Sequence, residues 1–288
     1  MTWFEILLVC IFLLIFVCLV GIWHASTHFH KVFYRLSSDK ISKPVKFVLL
    51  SDLHDCTFGK DNHKLLTAID EENPDAVLVA GDMLTALEER KGKVAEHFIK
   101  ALAAKHAVYY SLGNHEAKLN WIRERFGDSY DIYMDTVKGA GAKVLVNKSV
   151  DYPEENIRIY GLDISRYYYK RFKKLVMDDS YVEELVGKPD AQFYNIFMAH
   201  NPVFFEKYAE LHPDLVVSGH MHGGLMRLPF LGGVISPALK LFPKYDGGKF
   251  ERETTTMIVS RGLGIHSVEF RMWNPAEIVV IEIVPKDK

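Results

Sequence analysis

Polar and apolar positions in this chain fall into blocks, and five short apolar runs each end in a cluster of Asp, His or Asn. Residues 45–51 run into Asp52-Leu53-His54, residues 75–80 into Gly81-Asp82, and residues 108–112 into Gly113-Asn114-His115-Glu116. Residues 194–199 deliver His200, and residues 215–217 lead through Ser218-Gly219 to His220-Met221-His222, with Gly223-Gly224 behind them. Runs this short and this uniformly apolar read as buried strands. Open α/β sheets place their ligands at the carboxyl ends of such strands. Residues i and i+2 of an extended segment project to one side, so His220 and His222 can point into a common pocket.

Between the strands the period changes to that of helices. Residues 62–72 place Leu65, Leu66 and Ile69 on one face, and residues 86–104 do the same with Val94, Phe98, Ile99 and Leu102. Residues 119–133 read as a third helix. Residues 143–146, 157–162, 255–260 and 277–284 read as further strands. The order strand, loop, helix, strand predicts an α/β domain.

The first block is different. Residues 6–23 form an uninterrupted uncharged run of Leu, Ile, Val, Phe and Cys with one glycine, Gly21, with Trp3 and Phe4 before it and Trp23 at its end. That length suits a bilayer core of roughly 30 Å with aromatic residues at its interfaces. The absence of Lys or Arg before the run, and the poor cleavage site near Ala25-Ser26-Thr27, favour a retained single-pass anchor over a cleaved signal peptide. The expected division is an anchor at 1–23, a juxtamembrane linker at 24–44 and a catalytic-type domain at 45–288. Lys31, Arg35, Lys40, Lys43 and Lys46 follow the anchor against one acid, Asp39, which by the positive-inside rule puts the domain in the cytoplasm.

Composition adds exclusions. Of 288 residues, 49% are hydrophobic and 25% charged, and the net charge of −2 does not suggest nucleic acid as a partner. The three cysteines, Cys10, Cys18 and Cys56, form neither a disulfide framework nor a Cys-x-x-Cys metal site. Any metal is therefore held by N and O ligands.

Singly, the polar positions have ordinary explanations. Asp52 can be a turn residue, Asp82 a helix N-cap, Asn114 a turn residue and His200 a capped strand end. As an ordered set, Asp-x-His, Gly-Asp, Gly-Asn-His-Glu, His and Gly-His-x-His resemble the calcineurin-like metallophosphoesterase superfamily. Lys244-Tyr245-Asp246-Gly247-Gly248 and Arg261-Gly262-Leu263-Gly264 look like segments of its bacterial membrane-associated branch. The resemblance implies a two-sheet mixed β sandwich flanked by helices, here preceded by one transmembrane helix. It also implies a two-metal phosphohydrolase with a bridging hydroxide as nucleophile. Asp52, His54 and His222 would hold one metal, and Asn114, His200 and His220 the other, with Asp82 bridging and His115 acting as general acid or phosphate contact. Two divalent cations about 3.5–4 Å apart activate water and neutralise phosphoryl charge. Imidazole, carboxylate and amide donors suit Mn, Fe, Zn, Co or Ni, with Mn the first to test.

Departures narrow the branch. Gly81-Asp82-Met83-Leu84-Thr85 lacks the Asp-Arg of the protein Ser/Thr phosphatases, and Thr85 stands where purple acid phosphatases carry a tyrosine ligand. The basic, aromatic stretch Arg166-Tyr167-Tyr168-Tyr169-Lys170-Arg171-Phe172-Lys173-Lys174 reads either as a lid or as a solvated helix. As a lid, Arg166, Lys170 and Arg171 would bind an anionic lipid head group or nucleotide. The expected activity is cleavage of a phosphodiester or pyrophosphate, on a lipid-linked or amphiphilic substrate such as UDP-2,3-diacylglucosamine. A general phosphodiesterase or nuclease of the same fold, and a non-catalytic metal-binding scaffold, are the alternatives.

Overall fold

Strands that are apolar on nearly every residue need cover on both faces, and the fold supplies it by stacking two sheets with helices outside them. The computed structural model describes residues 1–87, 92–170, 173, 175–228, 230–236, 239–264 and 271–286. The strands are β1 (Phe29–Ser38), β2 (Val45–Leu50), β3 (Ala76–Val79), β4 (Val108–Ser111), β5 (Lys143–Leu145), β6 (Lys148–Tyr152), β7 (Ile157–Leu162) and β8 (Tyr194–Ala199). They continue with β9 (Leu215–Ser218), β10 (Arg227–Leu228), β11 (Gly232–Gly233), β12 (Gly248–Arg252), β13 (Thr255–Val259) and β14 (Ala276–Pro285). One six-stranded sheet has the order β1-β14-β2-β3-β4-β5, the other β12-β13-β9-β8-β7-β6, and β10 and β11 pair as a separate hairpin. β2 to β5 run parallel, as do β7, β8, β9 and β13, while the pairs β14–β2, β6–β7 and β12–β13 are antiparallel.

Three buried clusters hold these layers. Phe47, Leu49, Leu78, Ile196, Met198, Val217 and Ile281 fill the space between the sheets. The far face of the first sheet, with Leu50, Val77 and Val79, packs on α2 (His63–Glu72), α3 (Lys93–Ala103) and α6 (Ser129–Gly139) through Leu65, Phe98, Leu102 and Val137. The far face of the second, with Phe197 and Val216, packs on α7 (Tyr181–Val186) and α8 (Phe205–Ala209) through Val182, Phe205 and Tyr208. Each such side chain contributes roughly 1.5–3 kcal/mol, so a one-residue slip of any strand is heavily opposed.

Register is what assembles the polar ends. Leu50 pairs with Val79 in the β2–β3 ladder. Beyond it the Asp52 amide donates to the Gly81 carbonyl at 2.9 Å and the His54 amide to Asp82 at 3.1 Å. Gly81 has φ +87°, and a Cβ there would strike the backbone of Gly113, so β3 and β4 can close on each other only through glycine.

Three expectations change. Residues 24–44 do not form a linker: helix α1 (Trp3–Thr27) leads into β1, which pairs along its length with β14. β1 is an edge strand, half-buried in alternation, so charged residues interrupt its apolar pattern. Its basic residues, and Lys40 just beyond it, face the domain's own acids, Lys31 with Glu71 (2.9 Å) and Glu72 (2.7 Å), Arg35 with Glu282 (3.5 Å) and Lys40 with Asp214 (2.7 Å). The helix expected at 119–133 is three pieces, α4 (Asn114–Trp121), α5 (Arg123–Phe126) and α6, broken where Ile122 leaves helical φ/ψ and at Gly127, φ +54°. The 166–174 stretch holds a single 3₁₀ turn, Arg166–Tyr169, with Tyr168 buried, and Arg171 lies outside the described residues.

Candidate metal centre

All seven expected ligands stand at the carboxyl ends of the parallel strands. Asp52 and His54 follow β2, Asp82 follows β3, Asn114 opens α4 after β4, His200 follows β8, and His220 and His222 follow β9. Asp52, His54, Asp82, His220 and His222 all have positive φ, between 50° and 69°. Left-handed backbone costs a non-glycine residue on the order of 1 kcal/mol or more. Five such residues in one cluster are held there by the surrounding hydrogen bonds.

The side chains converge in overlapping groups. Asp52, His54 and His222 lie close enough to share one ion, as do Asp82, His200 and His220, and His54, Asp82 and His115 form a third group. His54 Nε2 is 3.3 Å from His222 Nε2, 3.8 Å from Asp52 Oδ1 and 3.8 Å from Asp82 Oδ2. His200 Nε2 is 3.1 Å from Asp82 Oδ2, off the direction of a hydrogen bond, and 3.9 Å from Asp52 Oδ1. Asp82 thus stands between the two ligand groups.

The donor set fits divalent metal ions. Among the described residues, Asn114 Oδ1 and His200 Nε2 are buried without a hydrogen-bond partner, a costly state for polar atoms unless something else binds them. His200 Nδ1 lies 2.7 Å from the Ala80 carbonyl, which fixes its proton there and leaves the Nε2 lone pair for a cation. Thr85 Oγ1 plays the same part 3.3 Å from His54 Nδ1. Ser51 donates to Asp52, and the His220 amide donates to both Asp52 oxygens at 3.1 Å.

The electrostatics have the same sense. Burial, with the neighbouring Asp82 charge, pushes Asp52 up to about 6, although His200 opposes it. Burial would raise Asp82 too, but His200 and His115 hold it well below the usual carboxylate range. Burial disfavours charge on His200, yet Asp82 and Asp52 carry it up to about 10. Without metal, then, His200 is protonated at neutral pH. Metal must displace that proton, so apparent affinity should rise with pH by up to about ten-fold per unit below 10. Calorimetric titration with Mn in buffers of different ionisation enthalpy should show about one proton released as the ligand group containing His200 fills.

The sequence reading left several supporting residues without a defined partner. Glu116, fully buried, accepts from the amides of Asp82 (2.8 Å), Met83 (2.8 Å) and Gly113 (3.0 Å) and from the Tyr110 hydroxyl (2.8 Å). Burial and the Asp82 charge push its carboxyl up to about 7. Its only sequence signal is the helix-start spacing after Gly113. Glu116→Ala strands four buried donors at about 1–3 kcal/mol each. A loss of at least ~3 kcal/mol, or roughly 6–12 °C in melting temperature, is expected by thermal denaturation. Arg271 and Asn274, both buried, donate to the His222 carbonyl at 3.3 and 2.6 Å and fix the last ligand loop.

The mouth of the site is a groove of about 940 Å³. Asn114 and His115 lie at its base, Lys118, Arg166 and Lys170 supply cations, and Trp121, Tyr167 and Tyr169 supply rings. Two of the three expected substrate contacts, Arg166 and Lys170, are therefore beside the site, and Lys118 joins them.

The chain belongs to the calcineurin-like phosphoesterase family, whose model matches residues 45–224. An uncharacterized metallophosphoesterase of Helicobacter pylori is 26% identical over 256 residues, 87% of this chain and 62% of its own length. One from Aquifex aeolicus is 28% identical over 269 residues, 91% of this chain and 95% of its own. The phosphodiesterase YaeI of Escherichia coli is 24% identical over 199 residues, 67% of this chain and 66% of its own. The chain thus spans about three fifths of the Helicobacter relative.

Proposed function

We propose that the chain is a metal-dependent phosphodiesterase anchored to a membrane by α1. The observation that carries this reading is the pair of ligand groups meeting at Asp82, with Asn114 Oδ1 and His200 Nε2 lacking a hydrogen-bond partner among the described residues. Asp52, His54 and His222 would hold one ion and Asn114, His200 and His220 the other, with Asp82 shared. Ions there supply Lewis acidity toward a phosphoryl oxygen and an activated water. The family's phosphoester chemistry and the phosphodiesterase named among the relatives support the same class.

The groove argues for a diester or pyrophosphate over a monoester. Lys118, Arg166 and Lys170 make no ion pair with a carboxylate among the described residues, so they are available to a second anionic group of the substrate. Trp121 and Tyr169, 5.7 Å apart, suit a planar ring. Among the described residues, Leu87 and Ile122 are the only aliphatic ones of the lining, little for two acyl chains, so UDP-2,3-diacylglucosamine draws no support from the groove. The positive-inside pattern after α1 supports a cytoplasmic domain.

The test uses the full chain in detergent with Mn. Bis(p-nitrophenyl) phosphate should be cleaved in preference to p-nitrophenyl phosphate, and Lys118→Ala should raise KM for a nucleoside diphosphate sugar roughly 10-fold, the scale of one charge-assisted hydrogen bond. Failure to bind metal would sink the enzyme reading.

A further inference from the structure

The loop that leaves His222 runs outward into an apolar surface that phosphoester chemistry does not use. Beyond Gly223-Gly224 the chain forms the β10–β11 hairpin and returns through residues 239–243. Phe230, Leu231, Leu239, Leu241 and Phe242 are each more than half exposed there, and Trp273 is 41% exposed. Hydrogen bonds between Arg227 and Met272 (3.0 Å) and between Met272 and Leu225 (3.0 Å) join the hairpin to the Trp273 segment, so these side chains belong to one surface. Phe230, Leu231, Phe242 and Trp273 line a common cavity of about 1120 Å³. Contiguous exposed apolar surface of this kind marks an interaction site.

Helix α1 identifies the occupant. It is apolar all round, and no residue of its span-length window is buried. From Trp3 to Trp23 it rises about 30 Å, the thickness of a bilayer core. It touches the domain close to its far end: a Cβ on Gly21 would lie 3.0 Å from Trp273 Nε1. Gly21 is two residues from Trp23, so where α1 leaves the bilayer, Trp273 sits beside it at the interface.

We infer that residues 230–236 and 239–242, with Trp273, form a second, monotopic contact with the lipid bilayer, next to the anchor and continuous with the loop that carries His220 and His222. The inference rests on reading α1 as a span. Of the cations lining the cavity, Arg227 pairs with Asp246 at 2.8 Å, Lys244 with Glu206 at 2.7 Å and Arg261 with Glu277, which leaves Lys240, exposed between Leu239 and Leu241, as the single lysine of the patch facing the head groups. The contact is accordingly one of apolar burial at the head-group boundary and does not require anionic lipid.

The test places spin labels on the full chain in phosphatidylcholine vesicles, with Cys10, Cys18 and Cys56 replaced by Ser. Labels at Phe230→Cys and Phe242→Cys are compared with Ile132→Cys, 61% exposed on α6, which packs at β5, the edge of the first sheet opposite β1, and with Leu13→Cys inside α1. Power saturation with oxygen and a nickel chelate should give lipid-like depth values at 230 and 242, and an aqueous one at 132. Leu231→Cys and Leu241→Cys serve as a second pair should a label disturb the hairpin. Aqueous values at 230 and 242 with a lipid-like 13 would overturn the contact alone, whereas an aqueous 13 would overturn the span as well. Shielding of 230 and 242 from both reagents would mean a protein partner, and would also overturn the proposal.

Discussion

Asp82→Ala is expected to lose bound metal and to cut diester turnover by at least ~10³-fold, since loss of even one preorganised charge-stabilising group costs about 10²–10³-fold. The carboxylate serves both ligand groups, with Oδ2 3.1 Å from His200 Nε2 and 3.8 Å from His54 Nε2. Its other oxygen accepts the His115 amide at 2.7 Å and so fixes the start of α4, where Asn114 stands. The alanine variant removes a bridging ligand, the charge that keeps His200 basic and an anchor of α4 together. Asp82→Asn separates these effects, because an amide oxygen can still accept from His115. The asparagine variant should stay folded by circular dichroism while elemental analysis shows depleted metal. If Asp82→Asn kept both its metal content and its rate, the shared-ligand reading would be wrong.

The sequence disclosed this centre because of how parallel strands are buried. β2, β3, β4, β8 and β9 are covered on both faces, so each appears as a mostly apolar run, broken only by single residues such as Lys46 and Asn195, with the Asp, His and Asn of the site clustered just past its carboxyl end. β1 follows the opposite logic. As an edge strand it alternates half-buried and exposed residues with Lys31 and Arg35 among them, which reads as linker. The breaks among α4, α5 and α6 depend on Ile122 and Gly127 adopting particular backbone angles, and helical period does not encode these. Arg271 and Asn274 are invisible for a different reason. They come from the far end of the chain to satisfy the carbonyl of His222, a contact created only by the fold. The Phe230–Phe242 surface is likewise a matter of exposure, and apolar residues in a loop carry no period that reports it.

His115→Ala should leave the metal in place and lower turnover by about 10²–10⁴-fold, the usual contribution of positioned acid–base or hydrogen-bonding groups. The geometry tells against its being a ligand through Nδ1. That nitrogen accepts the Ala86 amide at 2.9 Å, so it carries no proton and its lone pair is taken. The ring proton therefore sits on Nε2, which makes His115 a hydrogen-bond donor from the base of the groove. Its backbone amide, which supports Asp82, survives any side-chain replacement. Metal content after His115→Ala decides between the two roles: retained metal leaves a residue acting on substrate, while lost metal would make it a ligand through Nε2. His115→Gln then divides the first case. An amide can donate a hydrogen bond to a phosphoryl or leaving oxygen but cannot deliver a proton. Partial recovery with Gln relative to Ala would assign His115 to charge stabilisation in the transition state. Rates equal to Ala would assign it to proton transfer, a step in which the Ala86 amide must yield Nδ1 or the ring must be reprotonated from solvent.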